Sequence, residues 1–378
     1  MDDQSSIGTT SSLLCYTSES PISELLDFSD VSSNKDMLER FNRIADLLLL
    51  EQHLTVSARG VQTSYELLEI EFYMQYKGLH EDPFTHGSEE QKQSGQWYFH
   101  RAPRRSPSSA VPGKSVAGYR GGTRKGLDLT IGTPLIRTSR YFSSGSSDSS
   151  KRSKISPHGA IRGGVLLRSI RRIPDGVVIS GPSLLVDEIL RVSKAASIID
   201  LVNEKWGGDI SAMANITAES KAAGTRLQLE PRSKDTQTKR PEIYRSPRIG
   251  LDLSHSSIPA TDSLTHPRVI FVSKPYRYFT HPHLLTANGR GQTFLGVYQS
   301  CVDRGLADGD IRLRQEIARI AGVKPGMVEK LLDEYRLGRT KGTLKPFIGS
   351  AGKGASVSAA SFLKMMGVLR TLTEKSDA

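Results

Sequence analysis

The sequence predicts an α+β protein in which several β-strands combine with a handful of helices. Three observations predict this class. Residues 67–73 alternate within an apolar, β-forming run, residues 36–53 carry apolar side chains at helical spacing, and the last hundred residues are mainly helical. The whole pattern indicates about six to eight strands with helices around them.

The 378 residues carry a formal net charge of +11, and the positive charge is concentrated in one segment. Residues 101–175 contain 16 Lys and Arg against three Asp. Such a segment indicates either a polyanionic partner, most simply nucleic acid, or a disordered basic insertion that only adds solubility. No apolar run is long enough to cross a membrane, no secretory signal is recognisable, and the two cysteines form no disulfide framework or metal site. The sequence therefore predicts a nuclear or cytoplasmic protein with no membrane contact.

The first hundred residues predict a tail, a helix and two strands. Residues 1–35 are rich in Ser, Thr and Asp, which is typical of a disordered tail. An amphipathic helix starts at Asp36, and the strand of residues 67–73 follows it. A loop with Pro83 and Gly87 leads to the aromatic strand GQWYFHR at residues 95–101.

The middle of the chain alternates between predicted strands and insertions. Insertions are expected near 102–118 and 138–158, where the sequence is loop-like or of low complexity. Between them, YRGGTRKGLDLTIG begins with glycines and ends as an apolar strand. GGVLLRSIRR predicts another strand, and GPSLLVDEILRVSKA predicts a helix with Ser183 as its N-cap.

The remaining segments predict two strands followed by helices. The strands are SPRIGLDL at 246–253 and HPRVIFVSKPYRYF at 266–279. The predicted α+β domain thus covers residues 36–285, and residues 286–378 form a helical extension with a polar tail. Within this extension, Ala318, Gly322 and Val328 have helix-turn-helix spacing, which is equally the spacing of a plain helical hairpin packed on the main domain.

Glu71 is the most informative residue of the central strand. In strict alternation, Leu68, Ile70 and Phe72 form the core face, and Glu71 shares the other face with Leu67, Glu69 and Tyr73. Two interpretations remain open: a solvated strand face, or the floor of a pocket where burial makes the carboxylate a general base. Arg168 interrupts a later apolar strand in the same way. If both charges are buried, they are expected to meet, since an unpaired buried charge costs several kcal/mol.

A series of short motifs gives the chain a recognisable order. In sequence they are LEIEFY, DPFTH, an aromatic strand after Gly95, GLDLTIG, GGVLLRSI, GPSLL, SPRIGLDL and KPYRYF. This order resembles the alkyladenine (3-methyladenine) DNA glycosylase family over about residues 40–283. The resemblance implies a single mixed domain with a curved, largely antiparallel sheet and surrounding helices, acting as a monomer on DNA without metal or cofactor.

The resemblance also implies site residues. Glu71 matches the glutamate that activates water, and Arg168 matches the arginine that helps to hold that water and a phosphate. Leu251 matches a third water ligand through its backbone carbonyl, while Tyr73 and His86 match residues that line the pocket of the flipped base. A flipped purine needs such stacking faces and polar contacts.

Several positions depart from the family. His100 stands where a second stacking tyrosine is expected, Asp128 replaces a gating asparagine, and Leu184 replaces a lysine. Tyr119 is a possible substitute for the intercalating tyrosine. The block RGGTRKGLD is not a family sequence, and its Arg120, Arg124 and Lys125 either approach a phosphate or belong to a flexible turn with solvated charges.

The sequence therefore leads to two hypotheses of function. The first is a divergent glycosylase that excises damaged, alkylated purines from DNA by metal-free hydrolysis, in base excision repair. The second is a catalytically inactive nucleic-acid-binding or scaffold protein on the same fold.

Overall fold

The computed structural model describes residues 21–102, 118–133, 161–213, 224–232 and 240–377. Within these ranges, ten β-strands form one sheet in which every strand pair is antiparallel. The strands are β1 (Gln52–Ala58), β2 (Val61–Tyr76), β3 (His80–Glu81), β4 (Trp97–Phe99), β5 (Leu127–Ile131), β6 (Arg162–Arg172), β7 (Val178–Ser180), β8 (Arg226–Pro231), β9 (Tyr244–Ser246) and β10 (Arg277–Phe279). Their order is β4-β5-β6-β2-β1-β8, with β3 and β10 also paired to β2, β9 to β10 and β7 to β6.

Helices surround this sheet and dominate the C-terminal part. The α-helices are α1 (Pro21–Leu26), α2 (Asn34–Asp46), α3 (Pro182–Val192), α4 (Pro267–Val272), α5 (Arg290–Asp303), α6 (Ile311–Ala321), α7 (Pro325–Lys341) and α8 (Ala359–Ser376). Shorter 3₁₀ segments lie at Glu89–Lys92, Gly122–Arg124, Pro282–Leu284, Lys345–Phe347 and Gly349–Gly352, and π-helical turns at Leu47–Glu51 and Asp200–Lys205. The predicted α+β class, with C-terminal helices on one domain, is confirmed.

Strand β2 organises the sheet, because it pairs with β1, β3, β6 and β10 along its 16 residues. Its pairing with β6 shifts register between Leu67 and Glu69, which is the signature of a β-bulge. Leu67 and Ile70 therefore face one apolar cluster, whereas Leu68 faces the other. The predicted strict alternation is therefore wrong at two residues, since it placed Leu68 on the side of Ile70 and Phe72 and Leu67 on the side of Glu71.

The two faces of the sheet are covered differently. Helices α2 and α3 pack their apolar stripes on the face that carries Ile70 and Phe72. Helices α5 to α8 belong to a second cluster that contains Leu68 and Phe279 of the sheet. Because the sheet itself contributes to this second cluster, the predicted boundary near residue 285 does not separate two cores.

The C-terminal helices pack closely through glycine. A Cβ atom on Gly338 of α7 would lie 2.1 Å from the carbonyl oxygen of Lys364 on α8, and one on Gly367 would lie 2.2 Å from that of Tyr335. The predicted helix-turn-helix spacing corresponds to α6 and α7, which are separated by Gly322 at φ +67°. Val328 is fully buried in this arrangement, and contact of the pair with DNA stays a prediction.

Two predicted segments differ from the structure. Residues 21–31 are not a tail, since α1 forms there and Ile22, Leu26 and Phe28 are buried; residues 1–20 lie outside the described ranges. The predicted strand 266–279 is helix α4 followed by the short β10. It begins as a helix because the His266 side chain accepts from the Arg268 N–H and Pro267 occupies the first turn.

A smaller correction concerns the start of helix α3. The N-cap of α3 is Gly181, and the Ser183 hydroxyl instead donates to the carbonyl oxygen of Gly122 at 2.9 Å. The predicted insertions near 102–118 and 138–158 lie outside the described residues, apart from Ala102 and Gly118. Among the helices that the structure describes, none combines the length and apolar character that a membrane span needs.

Candidate functional site

One row of directly opposed residues crosses the sheet and carries the candidate site. Asp128 of β5 lies opposite Leu166 of β6, Leu166 lies opposite Glu71 of β2, and Glu71 lies opposite Arg277 of β10. Directly opposed residues in a sheet point to the same face. The row therefore places Asp128, Glu71 and Arg277 on the side opposite Ile70 and Phe72.

Two glutamates and two arginines form a buried charge cluster around the Glu71 end of this row. Arg168 donates from Nη1 to Glu71 at 3.2 Å and from Nε to Glu69 at 3.1 Å. Arg277 donates from Nε to Glu69 at 2.6 Å, and the Ser169 hydroxyl donates to the other Glu69 oxygen. None of the four charged residues is more than 6 % exposed. The expectation that Glu71 and Arg168 meet if both are buried is confirmed.

The backbone of a loop completes the hydrogen bonding of Glu71. The Ile249 N–H donates to Glu71 Oε1 at 2.7 Å, while Arg168 bonds Oε2. A carboxylate oxygen can accept two hydrogen bonds, and each Glu71 oxygen accepts one here. Glu71 therefore keeps acceptor capacity for a water.

The carboxyl groups of Glu69 and Glu71 have pKa values that are shifted in opposite directions. Burial alone would raise the pKa of Glu69, but Arg277, Arg168 and the Ser169 hydroxyl lower it to about 2. For Glu71, burial raises the pKa, and the neighbouring Glu69 charge raises it further against the opposing effect of Arg168. A pair of carboxyl groups separated in this way is typical of a site where one group is a fixed charge and the other exchanges a proton.

Tyr73 and His100 converge on Asp128, which is fully buried. The Tyr73 hydroxyl donates to Asp128 Oδ2, and His100 Nε2 lies 3.0 Å from Asp128 Oδ1. The side-chain amide of Gln91 donates to the Tyr73 hydroxyl in turn. Asp128, which replaces the gating asparagine of the glycosylases, thus binds two side chains of the protein in this structure.

Two glycines make room for these rings. A Cβ atom on Gly164 would lie 2.8 Å from the Tyr73 hydroxyl oxygen, and one on Gly126 would lie 2.6 Å from the His100 ring. Real Cβ atoms do not approach so closely. The rings of Tyr73 and His100 therefore take their places because these strand positions lack side chains.

Gly164→Ala is expected to lower the free energy of unfolding by about 1–3 kcal/mol, because the added methyl group overpacks the space between Tyr73 and Asp128. Urea denaturation measures this change. Gly121→Ala is the matched control, since its Cβ would meet nothing within 4 Å and its φ of −107° suits alanine. Equal stability of Gly164→Ala and wild type would contradict the close packing of the Tyr73 ring.

His86 adds a third ring to this wall. Its ring centre lies 5.6 Å from that of Tyr73 and 4.6 Å from that of His100. Burial, and then the neighbouring His100, lower the pKa of His86 to about 4, so the imidazole is neutral at neutral pH. A neutral imidazole both donates and accepts a hydrogen bond, which suits the edge of a nucleobase.

Leu251 lies in the loop whose backbone bonds Glu71, and its role as a water ligand through its carbonyl oxygen stays a prediction. The predicted strand 246–253 ends after Ser246, and the following residues form a loop up to a single bridge at Leu253. The Leu251 side chain packs against the second apolar cluster. The direct contact to Glu71 comes from the Ile249 N–H.

The predicted nucleic-acid contacts lie near the edge of the sheet. Tyr119 is half-buried against the first apolar cluster, with the Arg101 guanidinium carbon 3.8 Å from its ring centre. Arg120 donates from Nε to the Arg101 carbonyl oxygen at 2.9 Å, and Lys125 pairs with Asp187. Arg124 is exposed. Tyr119 is thus packed, and Arg124 is the most accessible cation of this set.

Sequence reasoning did not assign roles to several residues of the cluster. Arg277, which is fully buried, also donates to Ser246 and to Thr293 of helix α5, each at 3.0 Å. The KPYRYF motif contained the signal for Arg277, because an arginine within an aromatic strand needs a buried partner. Ile249 and Gln91 carried no such signal. Among the described residues, no group of three or more His, Cys, Asp or Glu side chains is arranged to hold a metal ion.

Comparison with known proteins gives a distant relative. No family model matches the chain. It is 28% identical over 234 residues to an uncharacterized protein of Acanthamoeba polyphaga mimivirus, a match that covers 60% of this chain and 82% of the viral protein.

Proposed function

We propose that this protein is a divergent DNA-3-methyladenine glycosylase-like enzyme that excises alkylated purines from DNA by hydrolysis of the N-glycosidic bond. One observation carries the proposal. Glu71 is buried, its two oxygens are oriented by Arg168 and the Ile249 N–H, and a wall of rings stands on the same side of the sheet. Base excision repair in the nucleus or cytoplasm is the process in which such an activity acts.

The reaction needs one base and one positioned water. Ionised Glu71 accepts a proton from the water, whose oxygen forms a bond to C1′ of the deoxyribose. The bond between C1′ and the purine nitrogen breaks, and its electron pair leaves with the base. A 3-alkylated adenine carries a positive charge before cleavage and so leaves as a neutral molecule without an acid. Arg168 favours the ionised form of Glu71, and Glu69 balances the second arginine.

The ring wall supplies the surface for the flipped base. Tyr73, His86 and His100 offer faces on which a purine stacks, and stacking contributes about 1–3 kcal/mol per base. The Glu71 side chain is only 5 % exposed, so the base must displace neighbouring groups as it enters. His86 is half-buried and forms the accessible part of the wall.

A second candidate is a catalytically inactive nucleic-acid-binding or scaffold protein. The observation that favours it is the internal use of Asp128, which binds both Tyr73 and His100. If these contacts persist when DNA is bound, the wall presents fewer polar groups to a base. Under this alternative, Glu71→Gln leaves DNA binding and any cellular role intact.

The experiment that separates the two candidates measures release of free base from duplex DNA. Separate duplexes carry one alkylated purine, one deaminated purine or no lesion. The proposal expects the alkylated duplex to release base faster than the deaminated duplex, or to be the only one that releases base. It expects no release from the unmodified duplex. Failure to release a base from any of them would contradict the proposal and favour the second candidate.

The rate of base release is expected to fall as the pH decreases, because protonated Glu71 cannot accept a proton. Burial raises the pKa of Glu71 above its ordinary value of 4.5, so the loss begins at a higher pH than for an exposed glutamate. Single-turnover rates from pH 8 to pH 4 measure this limb, and the affinity for DNA is followed in parallel. A rate that is constant down to the ordinary glutamate pKa would exclude Glu71 as the base.

A further inference from the structure

The C-terminal helices contain an unusual excess of positive charge. Residues 335–373 include seven Lys and Arg and no Asp or Glu. Arg336, Arg339 and Arg370 form ion pairs with acidic residues outside this stretch. Lys345 and Lys353 are exposed, and neither forms an ion pair with any residue that the structure describes. These two lysines lie in the loop between α7 and α8, residues 342–358, called here the C-terminal basic loop.

The C-terminal basic loop is fastened to the segment that holds Glu71. The Gly349 N–H donates to the Leu253 carbonyl oxygen at 2.9 Å, and Ile348 forms a parallel bridge with Leu253. The Gly354 N–H donates to Asp252 at 3.5 Å. At the other end of the loop, the buried Gln292 side chain donates to the Ser356 carbonyl oxygen at 3.4 Å.

This attachment limits the distance between the loop and the site. The Ile249 N–H donates to Glu71, and Leu253 follows four residues later. Four residues of extended chain span at most about 14 Å. Duplex DNA carries one negative charge per about 1.7 Å of helix axis, so a nucleotide held at Glu71 has several flanking phosphates within this span.

We propose that the C-terminal basic loop binds the phosphate backbone of duplex DNA beside the flipped nucleotide, through Lys345 and Lys353. The inference rests on the proposed function in taking DNA as the partner. It adds a contact surface from residues 342–358, which lie outside the part of the chain that resembles the glycosylases. Gly349 and Gly354, at φ +65° and +78°, give the loop turns without bulky side chains, which leaves room for a phosphate backbone.

The test uses the full chain and compares two double variants. Lys345→Ala/Lys353→Ala removes the proposed contacts. Lys35→Ala/Arg43→Ala removes two exposed charges from α2, which packs on the opposite face of the sheet. Fluorescence anisotropy with a labelled duplex measures the association constant at several salt concentrations. Each lost phosphate contact reduces the steepness of the fall of log K with log [salt] by about 0.9. Lys345→Ala/Lys353→Ala is therefore expected to reduce the steepness by about 1.8.

The outcomes distinguish this inference from the proposed function. A reduced slope in the loop variant, with the wild-type slope in the α2 variant, supports it whether or not a base is released. Wild-type affinity and slope in the loop variant would overturn it, even if base release is observed. Loss of binding to vesicles of anionic lipid, without an effect on DNA, would also overturn it, because the loop would then serve a different partner. Lys345→Arg/Lys353→Arg is expected to restore the slope.

Discussion

Glu71→Gln is expected to reduce the rate of base release by about 10²–10⁴-fold while the affinity for duplex DNA stays at the wild-type value. The range is the usual contribution of a general base. Glutamine keeps the length and shape of the side chain but accepts no proton from water. It also leaves the Tyr73, His86 and His100 wall in place, so binding of the flipped base is retained.

The substitution has a structural cost that the experiment must separate from the chemical one. Glu71 accepts from the Ile249 N–H with one oxygen and from Arg168 with the other. A glutamine has a single carbonyl oxygen, so its amide group must face one of these donors. A lost hydrogen bond that leaves a buried donor unpaired costs about 1–3 kcal/mol.

Glu66→Gln is the matched control on the same strand. Glu66 is 4 % exposed, as Glu71 is, and it accepts from Arg171 Nε at 2.9 Å. Its replacement therefore removes a buried carboxylate from an arginine without touching the site. Single-turnover release with enzyme in excess is measured for wild type and both variants at equal folded fractions. Similar rates for Glu71→Gln and Glu66→Gln would contradict the role of Glu71 as the base.

The sequence predicted the central pair because buried charge imposes a strong constraint. Glu71 and Arg168 each interrupt an apolar strand, and two such charges are stable inside a protein only when they meet. The same reasoning applied to Asp128, but its partners came from other strands and a loop. Neither spacing nor composition indicated that Tyr73 and His100 would both bind it, since a contact between β2, β4 and β5 depends on strand order.

Local backbone geometry was harder to predict than charge pairing. Residues 268–272, RVIFV, have the composition of a strand, yet the His266 cap and Pro267 start helix α4 there. The bulge at Leu68 likewise has no signal in the apolar pattern, because leucine suits either face of the sheet. The bulge nevertheless matters to the site: it puts Leu68 on the side of Glu69, so the apolar cluster of helices α5 to α8 meets the sheet beside the charge cluster.

Arg277→Met is expected to lower the free energy of unfolding by about 3–5 kcal/mol, the usual cost of removing one partner of a buried ion pair. Methionine fills much of the same space but leaves Glu69 with Arg168 as its remaining cation. It also removes the hydrogen bonds to Ser246 and Thr293, which join β9 and helix α5 to the site. Urea denaturation monitored by circular dichroism measures the change.

An exposed pair of similar geometry provides the control. Arg240 lies 2.7 Å from Glu51, and these side chains are 61 % and 56 % exposed. Arg240→Met is therefore expected to cost less than about 1 kcal/mol. The double variant Glu69→Gln/Arg277→Met is expected to recover part of the loss, because it no longer buries an excess negative charge.

The dependence on pH identifies the cause of the Arg277→Met effect. In wild type the pKa of Glu69 is held at about 2, so its ionic contribution is complete above pH 4.5 and is lost as the pH falls towards 2. Without Arg277 the pKa of Glu69 rises, so Glu69 is protonated at a higher pH in the variant. Protonation then removes the buried negative charge that destabilises the variant. The difference in stability between wild type and Arg277→Met should therefore shrink between pH 5 and pH 3. A difference that stays constant over this range would mean that Arg277 stabilises the fold by packing and hydrogen bonding rather than by its charge on Glu69.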